Sequence, residues 1–291
     1  MTAIVLDGES LAARMRSRVA EQVQELISQG IQPGLGTILV GDDMPSERYV
    51  SMKHADCDEV GITSVRRRLP AHASQEELRS AIQELNADPS VDAYLIQLPL
   101  PEGLDEEAAL LAVDPDKDVD GLHPVNLGRL VMGTEGPLPC TPAGIVELLA
   151  AYHVPVSGHH AVVIGRGLTI GRPLSLLLAL KRPGCNAAVT VVHTGVKDLA
   201  SFVRQADVVV AAAGMPGLVT ADMIKPGAAV VGAGVSWEGR KLLSDLDDGV
   251  ADVAGWVTPR IGGVGPMTRA MLLVNALRAA QHRARSTGTK L

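Results

Sequence analysis

Tyr49 and Lys53 lie one helical turn apart in Tyr49-Val50-Ser51-Met52-Lys53, so a helix there sets a phenol and a primary amine on one face. A lysine amine moves protons near neutral pH only when its pKa is lowered, and burial in an apolar site lowers it. Taken alone, the pair reads as a surface lysine beside a half-buried aromatic. Other groups change that reading. Gln97 closes an apolar strand and is followed by Leu98-Pro99-Leu100-Pro101, which places its amide at a strand's carboxyl end, where α/β sites form. Lys117-Asp118-Val119-Asp120-Gly121 sets two acids before a glycine. Gly262-Gly263-Val264-Gly265-Pro266-Met267-Thr268 offers a close backbone approach at the start of the last helix.

A second kind of chemistry sits far downstream. Gly165, Gly167 and Gly171 follow the apolar run Val162-Val163-Ile164 and precede a helix with Pro173 in its first turn. Glycines there let the backbone approach a pyrophosphate, whose charge rests on the helix N-terminus. A NAD site usually adds an acid about 20 residues on. Here the next strand ends Val191-Val192-His193-Thr194-Gly195, with no acid. Arg166 can instead meet a 2′-phosphate with its planar fork, with Thr194 adding a hydroxyl. The expected cofactor is therefore NADP.

The elements that must carry these groups alternate. Leu11, Met15, Val19, Val23, Leu26 and Ile27 mark a helix stopped by Gly30. A strand over 35–40, the Tyr49/Lys53 helix ending near Gly61, and a strand over 63–69 follow. Ser74 and Glu77 form a capping box for a helix over 75–86, ahead of a strand over 93–98. Prolines, glycines and acids crowd residues 99–142, broken by one short helix near 105–113. Alternation resumes with helices over 143–152, 173–181 and 197–204. Strands are expected over 161–164, 188–192, 207–213 and 228–231, and a last amphipathic helix over 268–284. The expected fold is α/β in two domains with a cleft between them. Residues 1–140 form an N-terminal α/β catalytic domain, on which a C-terminal helix within 268–291 packs back. Residues 141–267 form a Rossmann-like, doubly wound NADP-binding domain.

Bulk properties narrow the partners. The chain has 291 residues and a formal net charge of −7, which argues against a general polyanion-binding surface. Phe202, Trp237, Trp256, Tyr49, Tyr94 and Tyr152 are its whole aromatic set, too few for stacking along a single strand of nucleic acid. The basic run from Arg278 to Arg285 ends a helix, where cations complement the dipole. Cys57, Cys140 and Cys185 are widely spaced and read as reduced thiols, and no residues are assigned to a metal. The start, Met1-Thr2-Ala3-Ile4-Val5-Leu6-Asp7, lacks a basic signal-peptide opening. No apolar stretch reaches the ~20 residues a bilayer span needs. A cytoplasmic protein without membrane contact is expected.

Read jointly and in order, the motifs resemble a known family. Ser46-x-x-Tyr49-Val50-x-x-Lys53, Gln97-Leu98-Pro99-Leu100-Pro101, Asp118-Val119-Asp120-Gly121, Pro139-Cys140-Thr141-Pro142, the glycine turn and Gly262 to Thr268 are similar to the bifunctional methylenetetrahydrofolate dehydrogenase/methenyltetrahydrofolate cyclohydrolases. The resemblance implies NADP-dependent oxidation of 5,10-methylenetetrahydrofolate, then hydrolysis of the methenyl product to 10-formyltetrahydrofolate. It implies Lys53 as general acid/base, Gln97 holding that lysine, Tyr49 orienting folate and lysine, and Asp120 binding the pterin's amino edge. Leu98, Gly262, Gly263, Gly265 and Pro266 would line the folate, and Val235 the nicotinamide. Asp118 is expected to serve its own loop. A homodimer is implied as well. The chain departs from the pattern at Gly167 (usually Ser), at Gly232 (usually Asp), and at Arg260 and Ile261. Two other readings stand beside this one. One is a two-domain NADP dehydrogenase of a small hydroxy acid of the shikimate type. The other is a folate- or nucleotide-binding relative that has lost dehydrogenase activity.

Overall fold

The computed structural model of the chain describes residues 3–239 and 241–286. In chain order it begins β1 (Ile4–Val5), α1 (Gly8–Ser28), β2 (Gly34–Val40), α2 (Met44–Val60), β3 (Thr63–Leu69), α3 (Gln75–Ala87) and β4 (Ala93–Ile96). Next come α4 (Glu106–Ala112), α5 (Pro124–Met132), α6 (Cys140–Ala151), β5 (His160–Ile164), α7 (Gly171–Ala179), β6 (Ala188–Val192) and α8 (Leu199–Val203). It closes with β7 (Val208–Ala211), β8 (Ala229–Gly232), β9 (Val235–Glu238), β10 (Lys241–Ser244), β11 (Trp256–Val257) and α9 (Val264–Ser286). The described residues fall into two units. Unit 1 takes those within Met1–Ala12, Leu130–Gly133 and Thr141–Thr268; unit 2 takes those within Ala13–Arg129, Thr134–Cys140 and Arg269–Leu291.

Unit 2 is built on a parallel sheet in the order β3-β2-β4. The central strand β2 is buried along its whole length, which its apolar, small-residue sequence Gly-Leu-Gly-Thr-Ile-Leu-Val allows. Local chemistry sets the helices beside it. The Asp43 side chain accepts from Ser46 N at the start of α2, and Gly61, at φ 82°, ends that helix in the left-handed conformation. The expected capping box of α3 is present in both directions between Ser74 and Glu77. Ile38, Leu78, Ile82, Leu85 and Tyr94 pack into one core, with the Tyr94 hydroxyl donating to Asn86 Oδ1 at 2.6 Å. From the far end of the chain, Arg283 donates to both Asp92 carboxylate oxygens and to Gln32 O. Asp92 also accepts from Gly34 N, so this arginine ties α9 to the ends of β2 and β4. Residues 287–291 of the expected C-terminal segment lie outside the described residues.

Unit 1 is a six-stranded parallel sheet in the order β1-β11-β8-β7-β5-β6. Its strands β5, β7 and β8 are almost wholly buried Val, Ala and Ile, as a sheet covered on both faces requires. Counting from β5, the order is that of a doubly wound sheet with its switch point between β5 and β7. Ligands of such sheets bind outside the carboxyl ends of the strands at that point.

Several elements were not expected from sequence. The proline-rich stretch holds a second helix, α5, whose Pro124 sits at the first position, where a missing N–H costs nothing. The two-residue strands β1 and β11 are too short to show a period. The antiparallel ribbon β9–β10 turns at Gly239, φ 60°. Helix α9 starts at Val264 rather than 268, because Pro266 is tolerated in a first turn.

Candidate active site

The amine of Lys53 is buried, with 4% of the residue exposed. Helix α2 points it at the carboxyl end of β4. There Nζ donates to Gln97 Oε1 at 3.2 Å and stands 5.0 Å from the centroid of the Tyr49 ring, a cation–π contact. The Gln97 amide has only one way to face. Its Nε2 donates to Leu98 O at 2.7 Å, which leaves Oε1 for the lysine. Its backbone N donates to Ile38 O, so the sheet itself holds the residue. Tyr49 is desolvated, which together with the charge of Asp120 pushes its phenol up to about 12. At neutral pH it is a hydrogen-bond donor, not a phenolate. His54, the next residue along α2, shares Nε2 with Thr37 Oγ1 at 2.9 Å. Burial, then the nearby charge of Arg66, lowers it to about 4, which keeps it neutral beside the amine.

Asp120 is close enough to Lys53 for their charges to couple. Burial raises its carboxyl above the usual range, and the lysine pulls it partly back. Asp118 does other work. Its two oxygens accept from Gly121 N at 3.0 Å and His123 N at 2.8 Å in its own loop, and from Asn126 Nδ2 of α5 at 2.9 Å. Asp118→Ala would strand those buried donors and is expected to cost about 2–4 kcal/mol of stability. Denaturant unfolding reads that directly; an unchanged midpoint would mean the loop holds itself.

Sequence reasoning missed the groups that support the Asp120 loop and helix α2. Cys140 Sγ donates to Val119 O at 3.3 Å, and burial holds its thiol well above the usual range, with the charge of Asp120 adding to the effect. Asn275 of α9 donates through Nδ2 to Val119 O and Leu138 O, both at 2.9 Å. On α2, Asp56 takes both its oxygens to Arg269 Nη1 at 2.8–2.9 Å. Cys140 was visible as part of a motif but without a role; Asn275 and Arg269 carried no local signal.

In unit 1 the glycine turn lies at the switch point. Gly165, at φ 118°, follows β5, and a Cβ there would stand 2.8 Å from Ala212 C on the loop after β7. A Cβ on Gly171 would stand 2.6 Å from Gly165 C and 2.9 Å from Arg166 N. Both glycines are therefore demanded by backbone approach. Gly167 differs: a Cβ there meets nothing within 4 Å, so a serine would fit equally well. Helix α7 begins at Gly171 with no side-chain cap, which leaves early N–H groups for an anion. Arg166 and Thr194 are exposed beside the turn and at the end of β6. This cradle fits a dinucleotide's pyrophosphate.

The remaining sequence candidates are also in unit 1. Val235 is 49% exposed on β9. Gly262 and Gly263 serve the fold itself: Gly262 O accepts from Glu9 N at 2.9 Å, and a Cβ on Gly263 would stand 2.7 Å from Pro259 O. Gly265 and Pro266 lie in the first turn of α9, and Gly265 has open space at its Cβ position. At the departures, Arg260 pairs with exposed Asp248 at 2.6 Å, and Ile261 is 77% exposed. No group of His, Cys, Asp and Glu among the described residues has a metal-holding arrangement, and no helix among them is long and apolar enough to cross a membrane.

Comparison with known proteins matches both halves. The family described as tetrahydrofolate dehydrogenase/cyclohydrolase, catalytic domain, matches residues 6–120, and its NAD(P)-binding domain matches residues 139–284. The chain is 57% identical over 288 residues to the bifunctional protein FolD of Syntrophotalea carbinolica, with 99% of each covered. Among solved structures, the bifunctional FolD enzyme of Campylobacter jejuni superposes with a TM-score of 0.93 at 42% identity, covering 97% of this chain and 99% of that one. The Trypanosoma brucei methylenetetrahydrofolate dehydrogenase-cyclohydrolase, solved with NADP and an inhibitor, gives a TM-score of 0.92 at 37% identity, covering 98% of this chain and 99% of that one.

Proposed function

Because the chain belongs to the tetrahydrofolate dehydrogenase/cyclohydrolase family, we propose that it oxidises 5,10-methylenetetrahydrofolate with NADP and hydrolyses the methenyl product to 10-formyltetrahydrofolate. The observation that carries the reading is the buried Lys53 amine held between Gln97 Oε1 and the Tyr49 ring. A hydroxy-acid dehydrogenase has no use for that group together with a coupled carboxylate at Asp120. The family match over both halves of the chain favours an active enzyme over a binding relative.

Gly165 and Gly171 admit the cofactor's pyrophosphate to the start of α7, while Arg166 and Thr194 meet its 2′-phosphate and Val235 its nicotinamide end. NADP supplies the hydride acceptor for the first reaction. The protein's part is alignment of the folate. Tyr49 donates from its phenol, and Asp120 accepts from the pterin's amino edge, a bidentate match for a carboxylate. Leu98, Gly262, Gly263, Gly265 and Pro266 are the other groups assigned to the folate. In the second reaction water adds to the methenyl carbon. In its neutral form the Lys53 amine takes a proton from that water and delivers it to the ring nitrogen as the carbon–nitrogen bond opens, while the remaining hydroxyl proton leaves to solvent as the formyl carbonyl forms. Gln97 keeps the amine aimed, because its other amide group is committed to Leu98 O. A second copy of the chain completes the proposed assembly, working in the cytoplasm.

The test is a spectrophotometric assay of methylenetetrahydrofolate oxidation with NADP and NAD in turn. Reduction of neither cofactor would refute the dehydrogenase reading. In the same assay, Arg166→Ala is expected to raise KM for NADP by about ten- to a hundred-fold, the worth of one charge-assisted contact, and to leave KM for NAD within a few-fold. Equal losses with both cofactors would take Arg166 off the 2′-phosphate.

A further inference from the structure

The carboxylate of Asp245 is wholly buried, at 0% exposure, at the end of β10. Oδ2 accepts two consecutive backbone N–H groups, Ala213 N at 2.7 Å and Gly214 N at 3.1 Å. Oδ1 is buried without a hydrogen-bond partner among the described residues. Its own backbone is fixed on both sides: Asp245 N donates to Gly234 O at 3.2 Å, and Asp245 O accepts from Val219 N at 2.9 Å. Gly234 makes room for the group, since a Cβ there would stand 2.5 Å from Asp245 Cγ. Backbone N–H groups withdrawn from water need an acceptor, and Oδ2 supplies it to both.

What the carboxylate holds is the loop after β7, on one side of the switch point. Ala212 N donates to Ile164 O at 2.7 Å, and Ala212 C lies 2.8 Å from where a Cβ on Gly165 would stand. The loop is thus the wall against which the first glycine of the nucleotide turn presses. We propose that Asp245 is a positioning residue for the dinucleotide site, holding Ala212–Gly214 in place through two backbone N–H groups so that the Gly165 turn keeps its shape. It touches no reacting atom and acts through the loop. The inference rests on the nucleotide reading of unit 1.

The test uses the full-length protein without cofactor and with NADP. In Asp245→Ala, amide exchange at Ala213 and Gly214 is expected to accelerate in the cofactor-free protein, while the amides of β5 and β7 stay protected. Calorimetry is expected to show NADP binding weakened by about ten- to a hundred-fold. Asp245→Asn keeps an oxygen acceptor for both N–H groups and is expected to recover most of the affinity. Unchanged NADP affinity in Asp245→Ala would overturn the proposal, as would loss of protection throughout β5 and β7, the mark of a merely structural role. Failure of the wild-type protein to bind NADP would instead overturn the nucleotide reading, which keeps the two failures apart.

Discussion

Lys53→Met is expected to lower the rate of methenyltetrahydrofolate hydrolysis by about 10²–10⁴-fold, the range that a positioned acid/base group supplies. Methionine keeps a flexible apolar stem in the buried site but can neither take nor give a proton. The lost bond to Gln97 Oε1, 3.2 Å in the native chain, leaves that oxygen unpaired, at a cost of about 1–3 kcal/mol. Removing a buried amine from its apolar surroundings offsets part of that cost. The variant is therefore expected to fold and to bind folate, because Tyr49 and Asp120 stay in place. Decay of the methenyl absorbance gives the rate, and folate titration gives the binding. Wild-type turnover in this variant would strip the lysine of its role, whatever the affinity. Lys53→Arg sharpens the reading: a guanidinium keeps the charge and cannot be deprotonated, so it too is expected to be inactive.

The parts of this site that showed in the sequence were those whose geometry is local. Tyr49 and Lys53 share a face because α2 is one capped helix from Asp43 to Gly61, and each cap is written in a residue type. Gln97 follows an apolar run, so its place at a strand end could be read. The glycines at 165 and 171 flank a strand and a helix start. What did not show depends on distant pairings. Asn275 and Arg269 act on Val119 and Asp56 across most of the chain, and nothing near either residue marks the partner. Asp245 reads as one of several acids in Ser244-Asp245-Leu246-Asp247-Asp248, and only a tertiary contact 32 residues back along the chain brings it to Ala213. Gly262 and Gly263 showed in the sequence as a close backbone approach, but not that Glu9 and Pro259 of the same chain are the groups that come near them. Helix α5 hid in a proline-rich stretch because one proline at a first helical position looks like any other turn signal.

Gly171→Ala is expected to remove most dehydrogenase activity while methenyl hydrolysis continues. The added Cβ would stand 2.6 Å from Gly165 C and 2.9 Å from Arg166 N, and both are backbone atoms that no rotamer change can move. The turn must open to accept it. Overpacking of this kind costs about 1–3 kcal/mol, which corresponds to roughly 5- to 150-fold in NADP affinity if the strain falls on the bound geometry. Lys53, Tyr49, Gln97 and Asp120 all belong to unit 2, so hydrolysis of methenyltetrahydrofolate supplied directly is expected to stay within a few-fold of the native rate. Gly167→Ala provides the control on the same turn. Its Cβ meets nothing within 4 Å, so the same added methyl is expected to leave NADP affinity nearly unchanged. Calorimetric titration of NADP into both variants decides the matter. If Gly171→Ala binds as tightly as Gly167→Ala, the close approach at the start of α7 is packing alone, and the pyrophosphate must be held elsewhere.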